Sequence, residues 1–476
     1  MIPKRPINRD VPPTEEPEAR PEKKEEKPAE AKASAEKPKA PAEKPPTAKP
    51  KAPAEEESPA KPPRQPKSQT PKLLAGLVAL AVVFIVVAIV FASGGGDKSE
   101  GGSEVTTSAP STSSDSGDEN PSPQVAEALA FPAFATNNTT RIGGPDPVAN
   151  AAGVALAVFP STSAAQQPAA VAVVDVSEPA EAIAAAVLMA PPIRAPLLFS
   201  QEEALPTVSA EALTALNPQG SKATGGTSVF AIGKAYSAEM PVDGTVEKVI
   251  GARPTLFGRA AAIADLREKL AGPPKHIVIA PSSPDDLGFA APAAAWAARS
   301  GDPVLFTERR LLPPETAQVL RRHPKAPVYV LGPQSAVSKN VLKQIGKVSK
   351  QVKRVAGKDP VANAIALARY RDGSFGWNVN DPGHGFVLAR SDEPASPPAA
   401  AALSASGTWG PLLLTDDPGR LPAAVRDYFL DVKPGYTTDP TRAFYNHVWV
   451  VGDQDAIDVF QQGEVNELAE LAKIEE

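Results

Sequence analysis

The sequence predicts an α/β protein with three tandem α/β modules, each a parallel sheet flanked by helices. Two observations lead to this prediction. From about residue 135 onwards, short apolar runs alternate with alanine-rich stretches, which is the pattern of buried parallel strands connected by helices. The same order of motifs also occurs three times in this part of the chain. The residues before it differ in composition and require a separate interpretation.

The N-terminal segment, residues 1–72, consists mainly of proline, alanine, lysine and glutamate, with very few large apolar side chains. Such a segment cannot bury enough apolar surface to offset the entropy cost of ordering, and its prolines favour extended conformations. We therefore interpret residues 1–72 as a disordered tail.

The next segment, residues 73–92, reads LLAGLVALAVVFIVVAIVFA and contains no charged side chain. As a helix it would rise about 30 Å, which matches the hydrocarbon core of a bilayer. It is too long and too far from the N-terminus for a cleaved signal peptide, so we predict a retained transmembrane helix. Lys67 and Lys72 precede it, whereas Asp97 and Glu100 follow. This charge bias predicts a cytoplasmic tail and an extracellular C-terminal part.

Residues 93–130 are rich in serine, threonine, glycine and acidic side chains, which predicts a flexible extracellular linker. The whole chain has a net charge of −6, and the tail contains seventeen basic and thirteen acidic residues, a net charge of +4. The remaining residues therefore have a net charge of −10. An acidic extracellular part argues against nucleic acid as its partner. The absence of cysteine excludes disulfides and thiolate chemistry.

The repeat defines the modules. Its three copies open with RIGGPDPVANA at Arg141, KVIGARPTLFG at Lys248 and KRVAGKDPVANA at Lys353. A later apolar run begins at Pro196, Pro303 and Pro411, which are 107 and 108 residues apart. This period is far longer than that of a solenoid, so each copy should be a domain. We predict modules at residues 131–243, 244–350 and 351–476, the last with a C-terminal helix.

This ordered set resembles the cell wall-binding repeat 2 family of Gram-positive surface proteins. The resemblance rests on the RIGG opening, the PDDL turn at residues 284–287 and the final strand that ends in glycine, and it covers residues from about 135 to 459. It implies three modules packed with pseudo-threefold symmetry that bind an anionic secondary wall polymer without catalysis. From it we expect a membrane-anchored surface protein of a Gram-positive, specifically actinobacterial, organism.

The second repeat departs from this pattern, because Arg253 stands where the other repeats have Asp146 and Asp359. The three binding sites therefore need not be equivalent. The two aspartates precede a proline and a helix, which predicts that they cap helices. The nearby glycines, Gly143, Gly144, Gly251 and Gly357, indicate tight turns, since no phosphate-loop motif accompanies them.

Basic and hydroxyl side chains at strand ends are the candidate ligand contacts, because an anionic polymer favours charge-assisted hydrogen bonds. The basic candidates are Arg141, Lys248 and Arg354, with salt bridges between modules or a solvated surface as alternatives. For the hydroxyls at the ends of the central strands, helix capping is the alternative. The hydroxyl candidates are Ser177, Ser200, Ser283, Thr307, Ser391 and Thr415.

Enzyme signatures are weak, so the sequence predicts a binding protein that is not an enzyme and has no catalytic residues, metal or cofactor. The four histidines have no metal-ligand spacing, and no GxSxG motif occurs. The acidic charge would repel an anionic polymer unless local basic patches or bridging divalent cations compensate. Two alternatives stay open: an envelope scaffold whose tail recruits a cytoplasmic protein, or a wall-glycan hydrolase with a convergent cluster in a cleft.

Overall fold

The computed structural model describes residues 134–406 and 410–474. The predicted tail, transmembrane helix and linker, residues 1–72, 73–92 and 93–130, lie outside this part of the chain. Among the described residues, no helix is both long enough and apolar enough to cross a bilayer.

Strands form at the short apolar runs, and most of them are buried on both faces, as expected for parallel sheets covered by helices. Their chain order reflects the threefold repeat. The strands are β1 (Phe134–Ala135), β2 (Thr139–Ile142), β3 (Val171–Asp175), β4 (Leu197–Ser200), β5 (Thr227–Ile232), β6 (Thr245–Val249), β7 (Ile277–Pro281), β8 (Val304–Thr307), β9 (Val328–Leu331), β10 (Val352–Val355), β11 (Gly385–Arg390), β12 (Leu412–Thr415), β13 (Gly435–Tyr436), β14 (His447–Val451) and β15 (Ala472–Lys473).

Helices form at the alanine-rich and amphipathic stretches between the strands, and many begin at or next to a proline, which favours the first helical turn. They are α1 (Pro147–Val158), α2 (Pro179–Ala185), α3 (Thr207–Leu216), α4 (Leu256–Ala271), α5 (Pro292–Ser300), α6 (Pro314–Arg322), α7 (Lys339–Gly346), α8 (Pro360–Arg369), α9 (Ser396–Ala405), α10 (Ala423–Asp431) and α11 (Val459–Ala469).

Three parallel sheets have the same strand order. The first is β4-β3-β5-β6, the second is β8-β7-β9-β10, and the third is β12-β11-β14-β2 with β1 added antiparallel at its edge. The α/β prediction with parallel sheets and flanking helices is therefore confirmed. A separate short parallel pair joins β13 to β15.

The fourth strand of each sheet comes from the next copy of the repeat. Strand β6 opens the second repeat but pairs with β5, and β10 opens the third repeat but pairs with β9. Strand β2 opens the first repeat and pairs with β14 of the third. The predicted boundaries at residues 244 and 351 thus divide the sequence repeat, whereas hydrogen bonds join the sheets across them. The connection is cyclic, and β2 closes it.

The helix directly after each of β2, β6 and β10 is the opening helix of its repeat. It packs on the later strands and helices of that same repeat, whereas the strand before it pairs with the preceding module. Helix α1 packs on β4 and α3, α4 packs on β8 and α6, and α8 packs on β12 and α10. Each strand and its following helix consequently join two modules.

Alanine-rich helices form the centre of the molecule. Helix α2 with its 3₁₀ continuation (Ala186–Met189), α5 and α9 contact one another pairwise, although they belong to different modules. Their alanines are almost completely buried, and small side chains allow close approach of the helix backbones. This cyclic contact is the one that the expected pseudo-threefold packing requires.

Side-chain caps begin the opening helices. Asp146 Oδ1 accepts the Ala149 N–H at 2.9 Å, and Asp359 Oδ1 accepts the Ala362 N–H at 2.7 Å, so both predicted caps are confirmed. Gly143, with φ of +113°, makes the turn before α1.

The second repeat differs from the other two in the length of the loop before its opening helix, and not in the way that the sequence predicted. Residues 250–254 separate β6 from the cap of α4, whereas only residues 143–145 separate β2 from Asp146. Because of these two extra residues, Thr255 is the cap, and its Oγ1 accepts the Gly258 N–H at 3.1 Å. The expectation that Arg253 replaces the aspartate is therefore wrong. Arg253 is exposed and pairs with Glu315 at 3.3 Å.

We expect Ala400→Leu to destabilise the protein, because Ala400 is fully buried in α9 at the contact of the central helices. Overpacking of this kind costs about 1–3 kcal/mol. Chemical denaturation measures the free energy of unfolding, and Ala215→Leu on the exposed face of α3 is the matched control. Equal stability of the two variants would contradict the central packing.

Candidate functional site

Arg141, a predicted ligand contact, is fully buried where β2 meets the third module. Its guanidinium donates to the carbonyl oxygens of Gly452 (2.9 Å), Asp453 (2.5 Å) and Ile457 (2.6 Å), and to Gln462 Oε1 (3.0 Å). Burial lowers the pKa of Arg141, while nearby acidic side chains oppose this shift. A polymer cannot touch this side chain, so its position favours a structural role in cyclic closure.

Arg354 makes the same type of contact in the second module. It is half-buried and donates to the carbonyl oxygens of Gly332 and, at 2.5 Å, of Val337. Burial lowers its pKa as well. Lys248, at the third equivalent position, is exposed and lies over the Tyr236 ring, with Nζ 5.0 Å from the ring centroid. The three basic residues therefore lie in three different environments, and Lys248 is the one that a ligand can reach most easily.

The hydroxyl residues at the ends of β4, β8 and β12 are also fully buried. Thr307 Oγ1 donates to the carbonyl oxygens of Glu308 (3.1 Å) and Leu311 (2.9 Å), and Thr415 Oγ1 donates to that of Asp417 (3.2 Å). Ser200 Oγ is buried without a hydrogen-bond partner among the described residues. None of the three caps the following helix, because Pro206, Pro313 and Pro422 hold those N-cap positions. Thr307 and Thr415 instead bind the backbone of the loop after the strand.

Ser177, Ser283 and Ser391 occupy more accessible positions. They follow β3, β7 and β11, and each is exposed or half-buried. Acidic side chains accompany them at every copy. These are Glu178 in the first, Asp285 and Asp286 in the second, and Asp392 and Glu393 in the third.

These loops meet the opening helix of the next repeat, and we call the three contacts junctions. The first junction joins residues 176–181 to α4, the second joins residues 282–289 to α8, and the third joins residues 391–396 to α1. At the second junction, Asn363 Nδ2 donates to the Phe289 carbonyl at 2.8 Å. At the third, Asn150 Nδ2 donates to Ser396 Oγ at 3.2 Å.

An ion pair replaces the asparagine at the first junction. Arg259, four residues after the cap of α4, contacts Glu181, and its Nη2 lies 4.0 Å from Glu178 Oε2. Lys234 Nζ also lies 2.6 Å from Glu178 Oε1. Burial raises the pKa of Glu181 to about 7, although Arg259 opposes the shift. Glu181 Oε2 is buried without a hydrogen-bond partner among the described atoms, which disfavours the charged form of this carboxyl.

Sequence reasoning missed the residues that link the modules. The signal was present, since Asn150 and Asn363 occupy the same place in the repeated DPVANA motif. Arg259 could not be found in this way, because the extra residues before α4 obscure its alignment. In the part of the chain that the structure describes, no three His, Asp or Glu side chains are grouped to hold a metal ion.

Comparison with known proteins finds one family that matches part of this chain. Residues 255–342 match the family "Cell wall binding domain 2 (CWB2)", a match that runs from the cap of α4 into α7. The match covers one of three copies of the repeat. No curated protein matches this chain in sequence.

Two solved structures from Clostridium difficile share the fold. Cwp6 has a TM-score of 0.54 and 17% sequence identity, and the alignment covers 70% of this chain and 48% of that one. Cwp8 has a TM-score of 0.53 and 17% identity, with coverage of 70% and 52%. The aligned part of this chain therefore spans about half the length of either structure.

Arg141→Ala should destabilise the protein by at least about 3 kcal/mol, because it leaves several buried carbonyl oxygens without a donor. Lys248→Ala, at the equivalent exposed position, should change stability by less than about 0.5 kcal/mol. Urea denaturation of both variants provides the measurement. Similar effects of the two substitutions would argue against a structural role that is specific to Arg141.

The Glu181 carboxyl should make stability depend on pH. Its folded-state pKa, about 7, lies above the ordinary value of 4.5, so the folded state binds the proton more tightly. This contribution is fully present below about pH 4.5 and is lost as the pH rises to about 7, by up to about 3 kcal/mol.

Unfolding free energies of the wild type and Glu181→Gln, measured from pH 4 to 8, test this dependence. The difference between the two curves should fall over that window. Glu203→Gln, an exposed control, should give a constant difference. A constant difference for Glu181→Gln would show that folding does not shift the pKa of this carboxyl, and it would contradict the expected dependence.

Proposed function

We propose that this chain binds a cell-wall polymer through its three modules, and that this binding is itself non-catalytic. The observation that carries the proposal is the match of residues 255–342 to a cell wall binding domain, together with the repetition of that unit three times. Three linked sites of modest affinity bind a repetitive polymer far more tightly than one, because the second and third contacts are intramolecular.

The junctions are the proposed contact surfaces. Each offers a serine hydroxyl and one or two carboxylates at the carboxyl ends of parallel strands, where ligands usually bind in α/β sheets. The serine hydroxyls can donate hydrogen bonds to sugar hydroxyls or accept them, and the carboxylates can accept them. Ser177, Ser283 and Ser391 remain proposed ligand contacts, whereas the burial of Arg141, Ser200, Thr307 and Thr415 favours structural roles for those side chains.

An anionic secondary wall polymer is the proposed ligand, and its charge must be balanced at the junctions. Lys234 lies at the first junction, Lys358 is largely exposed next to the cap of α8, and Arg390 ends β11 at the third. Arg390 already pairs with Asp392 at 2.6 Å, which lowers the pKa of that carboxyl. Divalent cations that bridge polymer and carboxylates would supply the remaining positive charge.

We further propose that residues 73–92 anchor the protein in the cell membrane as a single span, with residues 1–72 in the cytoplasm and the modules in the wall. The apolar length of this segment and the charge bias around it support this arrangement. A cytoplasmic protein partner for the tail and an actinobacterial origin remain predictions from the sequence.

Cosedimentation of residues 125–476 with cell walls tests the proposed function. We expect binding to intact walls, loss of binding after chemical removal of secondary polymers, and weaker binding in chelator if divalent cations form bridges. Ser177→Tyr, Ser283→Tyr and Ser391→Tyr should each weaken binding modestly, and together by more than tenfold, as expected for multivalent contact. Ser163→Tyr, outside the junctions, is the control. Equal binding to intact and stripped walls would overturn the proposed ligand.

A further inference from the structure

A cleft of about 440 Å³ lies between the second and third modules. It opens at the amino ends of β7 and β11, whereas the junctions lie at the carboxyl ends of the strands. Its volume falls within the range of small-molecule binding sites. Its lining includes Lys275, His276, Trp296, Asp302, Ser374 and Trp377.

An insertion in the third repeat builds one wall of this cleft. Residues 370–384 separate α8 from β11, whereas only residues 272–276 separate α4 from β7 in the second repeat. Phe375 of the insertion is fully buried and stacks on Tyr329 of the second module, with ring centroids 3.5 Å apart and planes 2° apart. Tyr329 also donates to Asp372 Oδ2 at 2.7 Å. These contacts hold the intervening turn, and with it Ser374, in a fixed position.

Ser374, His276 and Asp302 form a hydrogen-bonded relay at the cleft. Ser374 Oγ lies 3.2 Å from His276 Nε2, and His276 Nδ1 lies 3.0 Å from Asp302 Oδ2. Ser374 is exposed, whereas His276 is only 7% exposed and Asp302 is buried. This is the order of nucleophile, base and orienting carboxylate that activates a serine.

Asp302 is held by further hydrogen bonds, and its position determines which ring nitrogen of His276 carries the hydrogen that faces it. Its Oδ1 accepts the backbone N–H of His276 at 3.0 Å, and its Oδ2 also accepts Trp296 Nε1–H at 3.0 Å. A carboxylate offers only acceptors, so His276 must donate its Nδ1–H to Asp302. The lone pair of Nε2 then faces the Ser374 hydroxyl and can take its proton.

We propose that Ser374 and His276 are catalytic residues of a site that cleaves carboxylic esters, with Asp302 as the positioning residue. The Ser374 oxygen attacks the ester carbonyl carbon while its proton passes to His276 Nε2. The carbon–oxygen bond to the alcohol breaks, and the alcohol leaves with that proton. A water molecule then attacks the acyl-serine, His276 takes its proton and returns it to Ser374 Oγ, and the acid is released.

The lining indicates the class of ester. Lys275, which directly precedes His276, adds positive charge to the lining of the cleft, and this favours a substrate that carries a negative group. Trp377 is half-buried at the same wall and offers an aromatic surface to a sugar ring. An acyl ester on a hydroxyl group of an anionic sugar therefore fits the cleft.

Labelling of the full chain with a fluorophosphonate tests the proposal, because such a probe forms a stable adduct with an activated serine only. Peptide mass spectrometry should find the adduct on Ser374, with none on the exposed control Ser163. The protein should also hydrolyse p-nitrophenyl acetate. A folded protein without an adduct on Ser374 would overturn the proposal, whatever its binding to cell walls.

Two variants separate catalysis from folding. Ser374→Ala changes an exposed hydroxyl, so it should preserve the fold while ester hydrolysis falls by about 100-fold or more. Asp302→Asn should slow labelling of Ser374 by about 10²- to 10⁴-fold, because an amide can donate to Nδ1 and reverse the imidazole tautomer. The Ser163→Ala control should match the wild type. Unchanged hydrolysis in Ser374→Ala would also reject the assignment.

Discussion

The pairing of β2 with β14 is the constraint on which the rest of the described structure depends. It completes the third sheet with a strand from the first repeat, just as β6 and β10 complete the other two sheets. Without it, β14 would expose an unpaired edge, and the loop carbonyls that Arg141 satisfies would lose their donor. Cyclic closure also brings the alanine-rich helices together, so no module buries its central helix by itself.

The junctions arise from the same strands, because β2, β6 and β10 each pair with one module and lead directly into a helix that packs on the next module. The junctions share a geometry but not a chemistry. Two use an asparagine to bind the neighbouring loop, whereas the first uses Arg259 and a buried Glu181 whose pKa is raised. A buried ion pair tolerates the loss of one partner poorly, so the first junction should be the one most sensitive to pH and substitution.

Opposite edges of the sheets serve different purposes in this interpretation. The carboxyl ends present three repeated polar surfaces suited to a repetitive polymer. The amino ends of β7 and β11 form a cleft between the second and third modules, and residues 370–384 build one of its walls. A polymer held at the junctions would keep ester groups at high local concentration near Ser374.

The sequence by itself determined the threefold repeat of motifs, the positions of most strands and the caps Asp146 and Asp359, because motif order, apolar periodicity and capping are read directly from the residues. Only the tertiary structure decided which sheet β2 joins, that Arg141 is buried, and that Thr255 rather than residue 253 caps α4. The relay also depended on it, because Ser374 and Asp302 lie 98 and 26 residues from His276 in the chain. Periodicity carries no information about contacts at such separations, since the first arises from the docking of the third module on the second and the other from packing within the second module.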